Sequence, residues 1–313
     1  MNKILILGAK GMLGQELKSV FTENDYEVTA WDKEELDITD EAQVLEKITR
    51  LAPSVIINAA AYNAVDKCEK DEQEFELAKK INGQAPGYLA KAAKEIGAVF
   101  VHYSSDYVFG AEMPELPEPA GCTGSCGSCA LHNDFEPEIG YAEDATPSPV
   151  NKYGESKLMG EETVKKNGDK YYIIRLSKLF GKPATGEDAK RSFFDVMLEL
   201  GKKAQSSGEA VRAVDEETSC FTYAVDLAKK TKEIIEAKKD FGIYHVANSE
   251  ACTWFEAVEE LYLQAGLEKV KIEPVSGEEF PRAASRPYFS ALINKKINPL
   301  RSYKEALAEY LKK

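Results

Sequence analysis

No stretch of this 313-residue chain approaches the ~18–20 consecutive apolar residues that a membrane span requires. The opening MNKILILG is too short, and too soon broken by glycine, to read as a signal peptide. Excess positive charge is also missing. A formal net charge of -13 leaves no footprint for nucleic acid or an anionic membrane, and neither is expected as a partner. No internal repeat is visible, and six cysteines in a chain of this size without a secretion signal are expected to be reduced thiols. What remains is the composition of an ordinary soluble protein, 43% hydrophobic and 30% charged, expected in the cytoplasm. Its length suffices for a large domain with a smaller lobe.

Short apolar, β-branched or aromatic runs stand at 3–7, 27–31, 55–58, 98–103 and 171–176, and helical patterns at 41–51, 72–96 and 153–166 separate them. Near-continuous apolar strands alternating with helices predict an α/β fold, a Rossmann-type doubly wound parallel sheet covered on both faces. From about residue 178 the rhythm loosens. Helices are expected at 192–203, 224–237, from Thr253 and at 303–311, with a strand at 243–246 and a Pro/Arg-rich loop at 281–287. The expected division is a dinucleotide-binding domain over 1–177 and, over 178–313, mainly a smaller substrate-binding lobe interleaved with the last sheet strands. Residues 111–146, rich in proline, glycine and cysteine, read as a long inserted loop.

Gly8, Lys10, Gly11, Met12, Leu13 and Gly14 form a G-x-x-G-x-x-G turn directly after the first strand and opening a helix. Its glycines admit a pyrophosphate to the helix N-terminus, where free N–H groups and the helix dipole favour anions. Asp32, just past the second strand, suits the adenosine ribose and so NADH, whereas Lys10 and Lys33 suit the 2′-phosphate of NADPH. The preference stays open between the two. Ala59, Ala60, Ala61 and Tyr62 follow the third strand with small residues that give a cofactor close access.

Tyr153 and Lys157 stand four residues apart on one helix face, where an ammonium can stabilise a phenolate and lower its pKa. Ser105 ends the fourth strand with a hydroxyl that can polarise a carbonyl. The pair alone is common by chance; behind a glycine turn and a strand-end serine it points to proton transfer during hydride chemistry.

At this point the chain resembles the extended short-chain dehydrogenase/reductases and, within them, the dTDP-4-dehydrorhamnose reductase family. The segments GAKGMLGQEL, LDITD, NAAAYNAVDKCE, HYSSDYVFG, SPVNKYGESKLMGEE, TYAVDLA and RPYFSAL carry the likeness over about residues 1–110 and 147–295. The resemblance implies NAD(P)H-dependent reduction of the C4 ketone of a dTDP-linked 6-deoxy-4-keto sugar. Tyr153 would donate the proton, and Lys157 would also hold the nicotinamide ribose. It implies cofactor contacts at Asp37, Ile38 and Asn82, and substrate contacts at Val65, Asp66, Ser105, Asp106, Arg286 and Ser290. It also implies a homodimer in some members, sometimes with a divalent ion such as Mg. Two other readings stay open: another nucleotide-sugar epimerase or dehydratase, and a non-catalytic subunit like the relative that binds methionine adenosyltransferase.

Three departures from the family stand out. Ser105 replaces the usual threonine and keeps its hydroxyl. The segment 215–222 (DEETSCFT) lacks the glycine and proline of the family's sugar-pocket loop. The insertion carries Cys122, Cys126, Cys129 and His132, a C-x3-C-x2-C-x2-H spacing that could close a tetrahedral zinc or other metal site. Free thiols or a disulfide in a flexible loop are the alternatives.

Overall fold

The computed structural model describes residues 3–23, 26–114, 139–185 and 191–312. Cys122, Cys126, Cys129 and His132 lie outside the described residues, so the expected metal site does too. Among the described residues no group of His, Cys, Asp and Glu could hold a metal ion, and no helix is long and apolar enough to cross a membrane.

The chain opens with β1 (Lys3–Leu7), α1 (Met12–Thr22), β2 (Glu27–Trp31), α2 (Glu41–Leu51) and β3 (Val55–Asn58). It continues through α3 (Val65–Lys70), α4 (Glu72–Ala78), α5 (Ala85–Ile96) and β4 (Val99–Ser105). Then come α6 (Lys152–Asn167), β5 (Tyr171–Leu176), β6 (Leu179–Phe180), α7 (Phe193–Ser207) and β7 (Val211–Val214). The last part comprises β8 (Thr222–Tyr223), α8 (Ala224–Glu236), β9 (Gly242–His245), β10 (Asn248–Ser249), α9 (Trp254–Gln264), β11 (Ile272–Val275), β12 (Leu300–Ser302) and α10 (Tyr303–Tyr310).

Six parallel strands form one sheet in the order β2-β1-β3-β4-β5-β9. Strand periodicity explains its two cores. Ile4 and Ile6 face one way, into a cluster with Leu17, Phe21, Val101, Ile174 and Leu227. Leu5 and Leu7 face the other, onto Ile48, Ile56, Leu89, Phe100 and Ile173. The strand order reverses between β1 and β3, the switch point beyond which doubly wound sheets bind ligands at their carboxyl ends. A third core lies outside the sheet, where Phe180, Phe194, Phe221, Tyr223, Tyr262 and Tyr303 pack together. The two-stranded pairings β6-β8, β7-β11 and β10-β12 belong to this half. Sequence patterning misses these strands because two to four residues are too few to show alternation.

The expected single helix over 72–96 is interrupted by a π-helical turn at Lys79–Gln84. Pro86 has no N–H with which to continue an α-helical ladder. The widened turn packs against α6, where a side chain on Gly160 would collide with the Asn82 carbonyl.

Behind the sheet's carboxyl edge, α6 and β5 share a buried ion pair. Arg175 Nε donates to Glu161 Oε1 (2.8 Å) and Nη2 to Oε2 (2.7 Å), with the two side chains 1% and 0% exposed. The guanidinium also lies 4.9 Å from the centroid of Phe109, which stacks on Tyr141 at 4.3 Å. His245 approaches Arg175 Nη1 at 3.3 Å. Two charges out of water are tolerated because the paired fork satisfies both. Arg175→Met leaves the buried Glu161 carboxylate with the more distant Lys165 ammonium (3.7 Å) and should cost roughly 3–5 kcal/mol of unfolding free energy, read by urea denaturation. The double variant Arg175→Met/Glu161→Leu should recover most of that loss; a single variant as stable as the parent would refute the pair's role.

Candidate active site

The turn after β1 is built for close approach. Gly8 sits at φ +73°, and a side chain there would meet Ala60 N at 2.7 Å. Gly14 faces the Gly8 carbonyl with no room for a Cβ. Gly11 caps α1 with no side-chain hydrogen bond, and the first turn holds no acidic residue. That helix end therefore offers Met12 and Leu13 to an anion without competition from the protein's own carboxylates.

Asp32 accepts from the backbone N–H of Lys10 (3.0 Å) and of Lys33 (2.9 Å), which fixes its carboxylate beside the turn. The Lys10 ammonium pairs with Glu34 at 3.0 Å. Ala59 continues the pairing of β3 by donating to the Leu7 carbonyl, and Ala60 N donates to Asn58 Oδ1 (3.2 Å). Three expected cofactor residues are occupied within the chain. Asp37 accepts from Thr39 N and Oγ1, which lowers its pKa. Ile38 packs into the core. Asn82, buried, donates to the Tyr62 carbonyl and to Ser156 Oγ and accepts from Tyr62 N. Asn82 thereby ties Tyr62 to the π-helical turn.

Beyond β4 the central group is Asp106. Its buried carboxylate accepts from Ser105 Oγ (3.0 Å), Ser177 Oγ (2.7 Å) and Ser290 Oγ (2.7 Å). Burial raises its pKa while the three hydroxyls pull it back down. Tyr107 N donates to Ser105 Oγ (3.2 Å), so the serine is fixed from two sides.

Helix α6 delivers Tyr153 and Lys157. Its N-cap Asn151 accepts from Gly154 N (2.8 Å) and donates to the Ser285 carbonyl, tying the helix start to the loop that carries Arg286. Gly154 is obligatory, because a side chain would strike the Tyr107 carbonyl. Tyr153 packs edge-on against Tyr107, ring centroids 5.6 Å apart. Its hydroxyl lies 3.4 Å from Asn63 Oδ1. Burial first, then the nearby Asp106 carboxylate, push the phenol pKa above its ordinary value, and the Ser105 hydroxyl opposes them.

Lys157 differs from the sequence expectation. Its ammonium donates to the Tyr103 carbonyl at 2.6 Å, and burial brings its pKa down to about 8 while Glu161, one turn on, acts the other way. The phenol is thus kept protonated by its surroundings, whereas spacing on a helix predicted an ammonium holding its pKa down. Spacing fixes a shared face; it does not fix which acceptor the longer side chain finds.

The expected substrate residues gather on the same side. Arg286 Nη2 pairs with Asp66 at 2.8 Å, and the Ala284 N–H donates to the same carboxylate (3.1 Å). Val65 opens α3 beside Asp66. Sequence reasoning passed over four neighbours. Glu217 accepts from Trp254 Nε1 (2.9 Å) and from both terminal nitrogens of Arg282. Lys178, just after Ser177, is partly buried and sets its Nζ against Trp254. Only the register of β5 on β4, Ser105 opposite Leu176, brings the residues after both strand ends together.

The profile of the family described as RmlD substrate binding domain matches residues 1–313. The spore coat polysaccharide biosynthesis protein SpsK of Bacillus subtilis is 32% identical over 99% of this chain and 97% of its own length. A crystal structure of a dTDP-4-dehydrorhamnose reductase from Clostridium acetobutylicum superposes with a TM-score of 0.83 at 33% identity, covering 99% of this chain and 98% of that one. One from Bacillus anthracis, in complex with NADP, gives 0.83 and 33% over 99% of each chain. Matched from end to end, this chain belongs to the RmlD substrate binding domain family.

Proposed function

We propose that the chain is an NADPH- or NADH-dependent reductase of a dTDP-linked 4-keto-6-deoxy sugar, with Tyr153 as proton donor. The observation that carries this reading is the buried Tyr153 beside Ser105 at the carboxyl end of β4, on the same sheet edge as the glycine turn. Relatives named dTDP-4-dehydrorhamnose reductase, 30–33% identical along nearly the whole chain, support the substrate class.

The residues fit a dinucleotide. Gly8 and Gly14 let the turn fold tightly where a Cβ would strike backbone, and the uncapped start of α1 suits a pyrophosphate. Met12, Leu13 and the segment from Ala59 through Ala61 to Tyr62 would line it, with Asp32 toward the ribose. Lys10, with Glu34 as its present partner, and Lys33 stand at the edge where a 2′-phosphate would distinguish the two cofactors. The bound nicotinamide supplies the hydride. The protein's part is to hold and polarise the ketone and to protonate its oxygen. Ser105, set in place by Asp106 and Tyr107 N, would turn its one hydroxyl proton from the Asp106 carboxylate to the ketone oxygen, and Tyr153 gives that oxygen its proton as C4 gains the hydride. Lys157, charged below about pH 8, would hold the nicotinamide ribose.

Asp106 bears on the dehydratase alternative. An acid working on the sugar needs a free carboxyl, and this one is saturated by three serines. Ketone reduction needs no such group.

Tyr153→Phe should lower kcat at least about 100-fold, the ordinary worth of a positioned proton donor, while NADPH affinity by fluorescence titration stays unchanged. Undiminished turnover of dTDP-4-dehydrorhamnose in that variant would refute the assignment. The pH profile has a defined sign. Tyr153 keeps its proton through neutral and mildly alkaline pH, whereas Lys157 loses its charge as pH rises through about 8. kcat at saturating substrate should therefore be flat below that point and decline above it. Lys157→Arg, whose guanidinium stays charged, should move the decline of its residual activity to higher pH. An unmoved limb would assign it to another group.

A further inference from the structure

Three cations approach the loops beyond β4 and β5, and two of them are matched. Arg282 holds Glu217 and Arg286 holds Asp66. Lys178 is the exception. Its Nζ is buried and has no hydrogen-bond partner. Aromatic faces surround it, with the Trp254 ring centroid at 3.5 Å and that of Phe221 at 5.2 Å. An indole face attracts an ammonium but offers no lone pair, so none of the three N–H donors is satisfied by it.

The backbone is constrained at the same residue. Lys178 sits at φ +27°, in a region that side-chain-bearing residues rarely adopt. Its carbonyl accepts from Thr222 N (3.2 Å), and the preceding Ser177 donates to Asp106. Strain and an unsatisfied buried donor coincide at one residue, beside the group that steadies Ser105. Such coincidences belong to functional sites more often than to scaffolds.

We propose that Lys178 is a specificity-determining residue whose ammonium hydrogen-bonds an uncharged oxygen, a hydroxyl or ring oxygen, of the sugar whose ketone Ser105 and Tyr153 hold. This rests on the nucleotide-sugar reading above. The acceptor is uncharged because the surrounding charges already balance: Asp106 stands against Lys178, and Glu217 against Arg282. What the ammonium lacks is a lone pair, not a counter-charge. Burial lowers its pKa to about 8, which leaves it protonated at neutral pH and able to donate.

The test uses the full chain with NADP present and compares dTDP-L-rhamnose with dTDP by calorimetry, in the parent and in Lys178→Met. The parent should bind the sugar nucleotide more tightly than dTDP, and the variant should lose roughly 10- to 100-fold of affinity for dTDP-L-rhamnose while its dTDP affinity holds. Thermal unfolding supplies a second readout. Methionine has similar reach and no buried charge, so Lys178→Met should melt at or above the parent's temperature. A variant that melts well below the parent would make the lysine structural and overturn the proposal. So would a variant that keeps the full preference for dTDP-L-rhamnose, or a parent that binds it no better than dTDP, with the nucleotide reading intact in either case. A parent that binds neither ligand would overturn the nucleotide-sugar reading and this inference with it.

Discussion

A carboxylate removed from water must be satisfied completely or it will not stay charged, and the site is arranged around that constraint at Asp106. Its three hydroxyl donors come from three parts of the chain: Ser105 at the end of β4, Ser177 at the end of β5, and Ser290 beyond the Arg286 loop. Each donor gains a charge-assisted hydrogen bond only if its segment is in place. The carboxylate therefore fixes the sheet edge and the substrate-side loop to each other. It also acts on Tyr153, where it adds to burial in keeping the phenol protonated.

A second layer of buried charge lies behind the first. Glu161, held by Arg175, is one helical turn from Lys157 and favours its charged form, while burial disfavours it. The proposed proton donor and its lysine thus stand between two buried carboxylates with different tasks. Asp106 sets the phenol and the serine, and Glu161 sets the lysine. Both are shielded from solvent, so neither effect is weakened by salt as a surface pair would be.

The segment Asp215 to Thr222, which departs from the family pattern, has a physical counterpart in the loop cluster. Glu217 is buried there between Arg282 and Trp254, and Trp254 in turn covers Lys178. A charged network stands where the family pattern has its glycine and proline.

Much of this was legible in residue order. Strands β1, β2, β3 and β5 appear at the bounds their runs give: β1, β3 and β5 lie inside the sheet and are mostly apolar, while β2, at its edge, is marked by β-branched and aromatic residues. The glycine turn and the spacing of Tyr153 and Lys157 were legible because backbone conformation and helix periodicity are local properties. The short strands of the C-terminal half, the π-helical turn at Asn82, the acceptor chosen by Lys157 and the unmatched ammonium of Lys178 were not. Each depends on which distant group lies within about 3 Å, the reach of a hydrogen bond, and on how much water is excluded there. The sequence by itself determined the sheet, the glycine turn and the identity of the side chains proposed to react. Only tertiary packing decided their protonation and their partners, since both follow from burial and from neighbours far away in the chain.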